Sequence, residues 1–272
     1  YTLELHAMTW GGEDRIVGSS WSFSDPTTAT LVGNTLTGLR NGTVLVSTSY
    51  AGKTYTRTVY FKASGQFESP PNENLGTADG LTEYGFMEGE LLASDVDYFK
   101  IVTNEFKSIE LAYFSRSLTA DTLVELLDES GSPLISETST NGQSVRIHLG
   151  IRPGTYYVRL SSAGDVDDDQ TYDIVYGAVD PALELIFEAE PNDTLTDANT
   201  LVIDQSIEGR LGSSTDNDFY RVQMLAPVYV DLVFECPGTD TQKQFAISVY
   251  NSSEANLISN FTVAEGQAAA FP

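Results

Sequence analysis

The chain has one cysteine, two histidines and 14 basic residues among its 272. The single cysteine, Cys236, excludes a disulfide within the chain, and we interpret it as a small buried apolar residue. Zinc sites need three or four nitrogen or sulfur ligands, so three such residues spread along the chain are too few. No apolar run of 18 residues is present, which argues against a membrane-spanning helix. The chain begins inside a strand-like pattern without methionine, and we expect it to be part of a longer protein.

The net charge is −25, and it is unevenly distributed. Residues 1–64 carry five basic and four acidic residues, or +1. Residues 65–180 carry six and 21, or −15, and residues 181–272 carry three and 14, or −11. A field of this sign repels nucleic acid and anionic membrane surfaces and attracts cations. We therefore expect no nucleic-acid partner and no membrane insertion.

The chain contains neither a His-Glu-x-x-His nor a Gly-x-Ser-x-Gly motif. Both histidines lie in strand-like runs without a nearby nucleophile motif. Acidic pairs are abundant, so counting alone leaves a glycosidase-like pair open. No long insertion that would form a cleft supports one. We expect no catalytic residue, and the chain is interpreted as not an enzyme.

Apolar and polar residues alternate in short runs, a pattern typical of antiparallel strands. The clearest runs are Thr43–Ser49, Tyr98–Val102, Leu123–Leu127, Tyr156–Leu160, Tyr172–Tyr176 and Tyr229–Phe234. Turn dipeptides separate them, among them Ala51-Gly52 and Asn141-Gly142. Short helical segments are expected only around Thr77–Gly80 and Thr196–Asn199. The sequence therefore predicts an all-β fold of tandem β-sandwiches.

Composition and strand register break at two places and divide the chain into three modules. Module one is residues 1–64, module two is residues 65–180 and module three is residues 181–272. Module two ends with the strand-like stretches that begin at Pro153 and Thr171, and module three reaches Pro272 before any equivalent. We therefore expect module three to be truncated at its C-terminus, with sheet edges that need covering.

An acidic pattern occurs twice in the chain, at an offset of 120 residues that later becomes 121. The second copy reads Glu188-Ala-Glu-Pro-Asn-Asp193 and later Asp216-Asn-Asp218, and the first begins at Glu68 with Pro70 in place of the second Glu. Calcium takes six to eight oxygen ligands from such side chains. The alternative is that these residues cap turns and form solvated loops.

Module one resembles the bacterial Ig-like group 2 family. The resemblance rests on Trp21-Ser-Phe-Ser-Asp25, Ala29-Thr-Leu, Leu36-Thr-Gly-Leu and Gly42-Thr-Val-Leu-Val-Ser-Thr. In such a module Trp21 would fill the space between two sheets, with Val44 and Val46 pointing inward. The resemblance implies a non-catalytic spacer or adhesive module of a surface or secreted protein.

Modules two and three resemble the pre-peptidase C-terminal domain family, a jelly-roll-like sandwich of secreted bacterial proteins. The matching motifs are the acidic pattern with Gly209-x-Leu211 and Asp218-Phe-Tyr in module three, and Pro153-Gly-Thr-Tyr-Tyr-Val in module two. The resemblance implies Ca²⁺ ligands in both copies. They are Glu188, Glu190, Asn192, Asp193, Asp216 and Asp218 in module three, and Glu68, Asn72, Glu73, Asp95 and Asp97 in module two. The proline at position 70 implies one carboxylate fewer in module two.

These resemblances lead us to expect a secreted or surface-attached bacterial protein region that binds an extracellular polysaccharide or matrix protein and anchors its neighbours. The aromatic pairs Tyr84/Phe86 and Tyr113/Phe114 either fill cores or form an exposed strip that grips such a polymer. Two alternatives stay open: a purely structural spacer, and accessory domains of a secreted peptidase.

Overall fold

The computed structural model describes most of the chain, and in that part every regular element is a β-strand. It describes residues 2–8, 14–17, 20–92, 94–117, 119–164, 170–179, 186–212, 216–224, 231–236, 244–253 and 255–271. The prediction of an all-β, sandwich-like fold is confirmed. Within these residues no helix is long and apolar enough to cross a bilayer. The chain divides into two compact units, residues 1–222 and residues 223–272.

Module one is built from antiparallel strands. They are β1 (Leu5–Met8), β2 (Asp14–Val17), β3 (Trp21–Phe23), β4 (Ala29–Val32), β5 (Thr35–Gly38), β6 (Gly42–Tyr50) and β7 (Lys53–Phe61). Strands β3, β6 and β7 form one sheet, and β4 pairs with β5. Val44 and Val46 are buried in the core as predicted, and Trp21 packs against that core. Burial of such side chains, at about 1.5–3 kcal/mol each, stabilises the module.

Module two is a sandwich of two five-stranded sheets. Its strands are β8 (Gly65–Phe67), β9 (Asp79–Gly80), β10 (Phe86–Glu90), β11 (Val96–Thr103), β12 (Lys107–Ser115), β13 (Thr122–Leu127), β14 (Pro133–Ser139), β15 (Val145–Ile151), β16 (Gly154–Ser162) and β17 (Thr171–Ala178). The sheet orders are β15-β12-β17-β10-β8 and β14-β13-β16-β11-β9. The largest core of the molecule contains side chains from both sheets.

Strand β11 shows how the sequence pattern places the acidic residues. Asp97, Phe99 and Ile101 are buried, while Lys100 and Val102 are exposed. This alternation follows the period of two that a strand imposes on its side chains. Asp97 therefore points inward with the apolar residues, at the end of the strand where the Glu68 segment lies. The predicted turns also form, and both residues of Asn141-Gly142 have positive φ.

The expectation of short helices around Thr77–Gly80 and Thr196–Asn199 is wrong. Both stretches are turns that end in short strands, β9 and β18 (Asn199–Thr200). Strand β9 pairs in parallel with β11, and the Leu81 amide donates to the Lys100 carbonyl at 2.9 Å. The backbone donors that a helix would use are thus taken by a strand distant in sequence.

Modules one and two are joined by a buried polar network around Glu110. The carboxylate of Glu110 accepts hydrogen bonds from the Tyr60 hydroxyl of module one, from Arg146 at 2.8 Å and from His148 at 2.5 Å. Burial opposes ionisation of Glu110, but the hydrogen bonds from His148 and Tyr60 and the charge of Arg146 lower its pKa. Tyr60 also packs edge-on against Phe114. The joint between modules one and two is therefore held by specific contacts.

The leading part of module three, residues 186–222, lies in the same compact unit as modules one and two. Its β18 pairs in parallel with β19 (Tyr220–Arg221), and Phe187 bridges Glu208 in parallel. This bridge repeats the pairing of Phe67 with Glu88 in module two. The predicted boundary between residues 180 and 181 lies outside the described residues.

The second unit, residues 223–272, contains two pairs of antiparallel strands. They are β20 (Leu232–Glu235) with β23 (Ala268–Phe271), and β21 (Gln244–Tyr250) with β22 (Asn256–Ala264). Cys236 is buried in its core with Val263 and Ala269, as the sequence predicts. The predicted strand Tyr229–Phe234 overlaps β20, but residues 225–230 lie outside the described residues.

Candidate metal centre

The structure brings the module three ligand candidates together. We call Glu188, Glu190, Asn192, Asp193, Asp216 and Asp218 the Glu188 cluster. Carboxylate oxygens of Glu188, Glu190 and Asp218 lie within 4.8 Å of one another, and so do those of Glu190, Asp193 and Asp216. Glu190 belongs to both groups. Asn192 is fully buried and its amide donates to Glu188 at 3.2 Å.

Backbone contacts hold the ligand-bearing segment in place. The Glu188 amide donates to the Glu208 carbonyl at 2.9 Å, and the Phe219 amide donates to the Asn192 carbonyl at 3.1 Å. The side chain of Asn199 closes a pair of hydrogen bonds with the backbone of Ala189, at 3.0 and 3.2 Å. Two segments some 25 residues apart in sequence are thereby fixed against each other. These hydrogen bonds fix the backbone that carries the carboxylates of the Glu188 cluster.

Glu188 is the best satisfied member of the cluster. Its Oε2 accepts from the Asn192 amide and from the Tyr220 hydroxyl, and its Oε1 accepts from the Arg210 backbone amide. Tyr220 begins β19, two residues after Asp218, and its hydroxyl reaches Glu188. Sequence reasoning missed Tyr220, although this spacing is a usable signal.

Burial and mutual repulsion oppose ionisation of the cluster. Burial, followed by the charges of Glu188 and Asp216, raises the pKa of Glu190 to about 7. Burial and the same two charges raise the pKa of Asp218 to about 8. Burial also raises the pKa of Glu188. At neutral pH the cluster therefore retains protons unless another cation replaces them.

Three oxygens of the cluster are buried without a hydrogen-bond partner among the described residues. They are Glu190 Oε1, Asn192 Oδ1 and Asp218 Oδ1. An unsatisfied buried polar atom costs about 1–3 kcal/mol. Two carboxylates and an amide carbonyl are hard oxygen donors of the kind that calcium prefers. The residues present therefore fit a divalent cation bound by oxygen.

The equivalent residues of module two form a different arrangement, which we call the Glu68 cluster: Glu68, Asn72, Glu73, Asp95 and Asp97. Glu68 accepts from the Glu90 backbone amide at 2.7 Å. The Tyr172 hydroxyl lies 2.9 Å from Glu68 and 2.6 Å from Asp97. A phenol has one proton and can donate it to only one of the two. Burial raises the pKa of Asp97 to about 8, and the charge of Glu68 adds to this shift, so Asp97 itself is the second proton source.

The other two acidic members of the Glu68 cluster lie apart from this pair. Glu73 is exposed, and Asp95 Oδ1 accepts from the Val96 amide at 2.9 Å. Within the described part of the chain, no three acidic side chains of this cluster bring oxygens within 4.8 Å of one another. Tyr172, which sequence reasoning also missed, comes from a strand 75 residues beyond Asp97, and no local pattern indicates it.

The aromatic pairs considered for polymer binding are covered. Tyr113 is fully buried, Phe86 is 5% exposed, and Phe114 packs at the joint between modules one and two. The Tyr84 hydroxyl donates to the Ala178 carbonyl at 3.3 Å. These four rings stabilise cores and joints, so any exposed aromatic strip must be built from other residues.

Neither a family model nor a curated protein sequence matches the chain. Among solved structures, the pre-peptidase C-terminal domain of a collagenase from Bacillus anthracis is 21% identical, covers 40% of this chain and 99% of its own, and has a TM-score of 0.32. A β-glucosidase from Paenibacillus barengoltzii is 13% identical over 42% of this chain and 13% of its own, at a TM-score of 0.23. A structure of the infectious bursal disease virus Gx strain is 12% identical over 64% and 62%, at 0.20. TM-scores this low fix neither the family nor the function of the chain.

Proposed function

We propose that the chain is a non-catalytic, calcium-binding region of a secreted or surface-attached bacterial protein, and that the Glu188 cluster holds the ion. The observation that carries the proposal is the set of buried, unpartnered oxygens on Glu190, Asn192 and Asp218. A bound cation would satisfy all three and offset the repulsion that raises the pKa values of Glu190 and Asp218.

Calcium suits this donor set better than the other common protein metals. The cluster supplies carboxylate and amide oxygens only, whereas zinc favours nitrogen and sulfur. Magnesium demands a small octahedral shell and keeps several waters, while calcium accepts six to eight oxygens at about 2.3–2.6 Å. Glu190 belongs to both groups of convergent carboxylates, so the cluster has room for one shared ion or two adjacent ones.

In this function the three modules act as a spacer that positions neighbouring parts of the protein. Module one is proposed as a bacterial Ig-like module, and modules two and three as pre-peptidase C-terminal-type modules, on the motifs described above. An accessory region of a secreted peptidase is one setting for such a spacer. The Glu110 network supports a fixed joint between the first two modules, because it buries polar contacts from both.

Calcium titration of the whole chain by calorimetry tests the proposal. We expect binding by the wild type, and a loss of at least about 100-fold for Glu190→Gln, because this substitution removes the carboxylate common to both groups. Glu208→Gln is the matched control, since Glu208 is an exposed acid next to the cluster. Chelation should also lower the melting temperature. Absence of binding by the wild type at millimolar calcium would overturn the proposal.

Polymer binding is a second candidate, favoured by one feature of module one. Tyr50 and Tyr55 lie on the β6–β7 hairpin and are 41% and 44% exposed. Their pairing partners, Lys53 and Thr48, place both tyrosines on one face of the hairpin. Exposed aromatic rings stack on sugars and on protein side chains. Glycan and matrix-protein arrays with wild type and a Tyr50→Ser/Tyr55→Ser double variant test this candidate, which predicts binding by the wild type alone.

A further inference from the structure

The ligand-bearing segment of module three makes backbone contacts to two different modules. On one side the Glu188 amide donates to Glu208 of its own module. On the other side the Gly150 amide of module two donates to the Glu188 carbonyl at 2.6 Å, and Gly150 bridges Ala189 in parallel. Gly150 is on β15, the edge strand of its sheet. The segment that carries Glu188 and Glu190 thus extends the sheet of module two.

This contact is possible because residue 150 has no side chain. A β-carbon at Gly150 would lie 2.6 Å from the Phe187 carbonyl oxygen and 2.7 Å from that of Glu188. Both atoms are backbone, so they cannot move aside as a flexible side chain can. Any larger residue at position 150 would push the ligand-bearing segment away from β15.

Two further contacts fasten the same segment to module two. The ring of Phe187 stacks on the His148 ring with centroids 5.0 Å apart and planes 9° apart. The Arg152 guanidinium donates to the Asp197 carbonyl at 2.5 Å. His148 is itself held by Glu110. Module two therefore contacts the chain of module three both before Glu188, at Phe187, and after Glu190, at Asp197.

The first copy of the segment gives an internal comparison. Phe67, the equivalent of Phe187, is 77% exposed, whereas Phe187 is 6% exposed. In module two the Tyr172 hydroxyl lies between two carboxylates, Glu68 and Asp97, while the Glu188 cluster has two groups of three convergent carboxylates that share Glu190. The copy that is covered by a neighbouring sheet edge is thus the copy with the convergent ligands.

We propose that β15 of module two is part of the cation site of module three, with Gly150 as the positioning residue that allows the ligand segment to dock. This inference rests on the proposed calcium binding at the Glu188 cluster. Docking and ion binding are then linked, and each strengthens the other by the same factor. Calcium would strengthen the docking of the Glu188 segment on β15, although β15 supplies none of the ligands.

Calcium titration of three full-length variants tests this inference. Gly150→Ala is expected to weaken calcium binding about 10- to 100-fold, the range found when groups that support metal ligands are lost. Gly154→Ala is the matched control in the next strand, since a β-carbon there would meet only ordinary contacts, the nearest at 3.6 Å. Arg152→Met removes the donor to Asp197 by changing only a side chain, so it keeps the test valid if Gly150→Ala folds poorly. We expect it to produce a smaller loss in the same direction.

Hydrogen exchange at the Gly150 amide supplies a second readout. Its bond to the Glu188 carbonyl forms only when the segment is docked, so calcium should slow this exchange by the factor that docking adds to affinity. A glycine needed only for the fold of module two would exchange at a rate independent of calcium.

The outcomes separate the two proposals. Wild-type affinity in both Gly150→Ala and Arg152→Met, with calcium-independent exchange at Gly150, would overturn the shared site and leave calcium binding intact. No binding by any variant or by wild type would overturn both. Weakened binding in Gly150→Ala and Arg152→Met, but not in Gly154→Ala, supports the shared site.

Discussion

The Glu68 and Glu188 clusters have the same backbone frame but neutralise their charge differently. In both copies the leading glutamate donates its amide to a carbonyl 20 residues later, at 2.8 and 2.9 Å, and the asparagine carbonyl accepts from the strand that carries the second acidic pair, at 2.9 and 3.1 Å. In module two a phenol lies between two carboxylates. Module three has an additional carboxylate, Glu190, and buried oxygens of Glu190, Asn192 and Asp218 have no hydrogen-bond partner among the described residues. The comparison shows that the same backbone frame can hold two different arrangements of acidic side chains.

The origin of the phenol differs between the copies as well. Module two reads Asp97-Tyr-Phe and module three reads Asp218-Phe-Tyr, so the two aromatic residues exchange places. In module three the tyrosine two residues after Asp218 reaches Glu188. In module two that position is Phe99, and Tyr172 from β17 supplies the hydroxyl instead. Charge neutralisation in module two therefore depends on its last strand.

The largest expected effect comes from removing that hydroxyl. Tyr172→Phe removes the hydroxyl that lies between Glu68 and Asp97, and we expect the free energy of unfolding to fall by about 2 kcal/mol. Tyr220→Phe in module three should cost a similar amount without calcium and clearly less with it, because the ion supports Glu188. Urea unfolding with and without calcium measures both. If both variants lost the same free energy of unfolding with and without calcium, the proposed difference between the two clusters would be wrong.

A smaller effect is expected from giving module two the missing carboxylate. Pro70→Glu should create a weak calcium site at the Glu68 cluster, raising the binding stoichiometry above that of the wild type. At free calcium five times the new dissociation constant, the variant gains about 1 kcal/mol of stability. Pro70→Gln is the control, with an amide in place of the charge. An unchanged stoichiometry would show that the position of the Tyr172 hydroxyl, and not the number of carboxylates, prevents calcium binding at the Glu68 cluster.

A third expected effect is a pH dependence of the stability of the metal-free chain. The folded pKa values of Glu190 and Asp218 are about 7 and 8, above the ordinary values of 4.5 and 3.8. Between about pH 4 and pH 8 the folded chain therefore holds protons that the unfolded chain has lost, so its stability falls as pH rises. Urea unfolding in chelator from pH 5 to 8.5 measures this slope. Because Asp97 also titrates near pH 8, only part of the slope should vanish at saturating calcium, and loss of the whole slope would contradict the assignment to two clusters.

Much of the fold follows from local patterns in the sequence, and the long-range contacts do not. The alternation over Tyr98–Val102 correctly predicts a strand, and the structure extends that strand to Asp97, which is buried like Phe99 and Ile101. The second acidic segment contains the carboxylates that lie close together in module three, and their role as metal ligands stays a prediction. Tyr172 and His148 gain their roles only through strand registers across the sandwich and between modules, which no short pattern encodes. The helices expected around Thr77–Gly80 and Thr196–Asn199 fail for the same reason, since distant strands take their hydrogen bonds.

The glycines at positions 89 and 209 have a practical consequence for recognising related modules. A β-carbon at Gly89 would lie 2.7 Å from Glu68 Oε2, and one at Gly209 would lie 2.7 Å from Glu188 Oε2. Each glycine leaves space that a tyrosine hydroxyl occupies. In module two this hydroxyl belongs to Tyr172 on β17, and in module three it belongs to Tyr220, two residues after Asp218. A sequence search that requires the tyrosine at one fixed alignment position would miss one of these two modules. One that asks for the glycine 21 positions after the leading glutamate, with tyrosine allowed at either place, would find both.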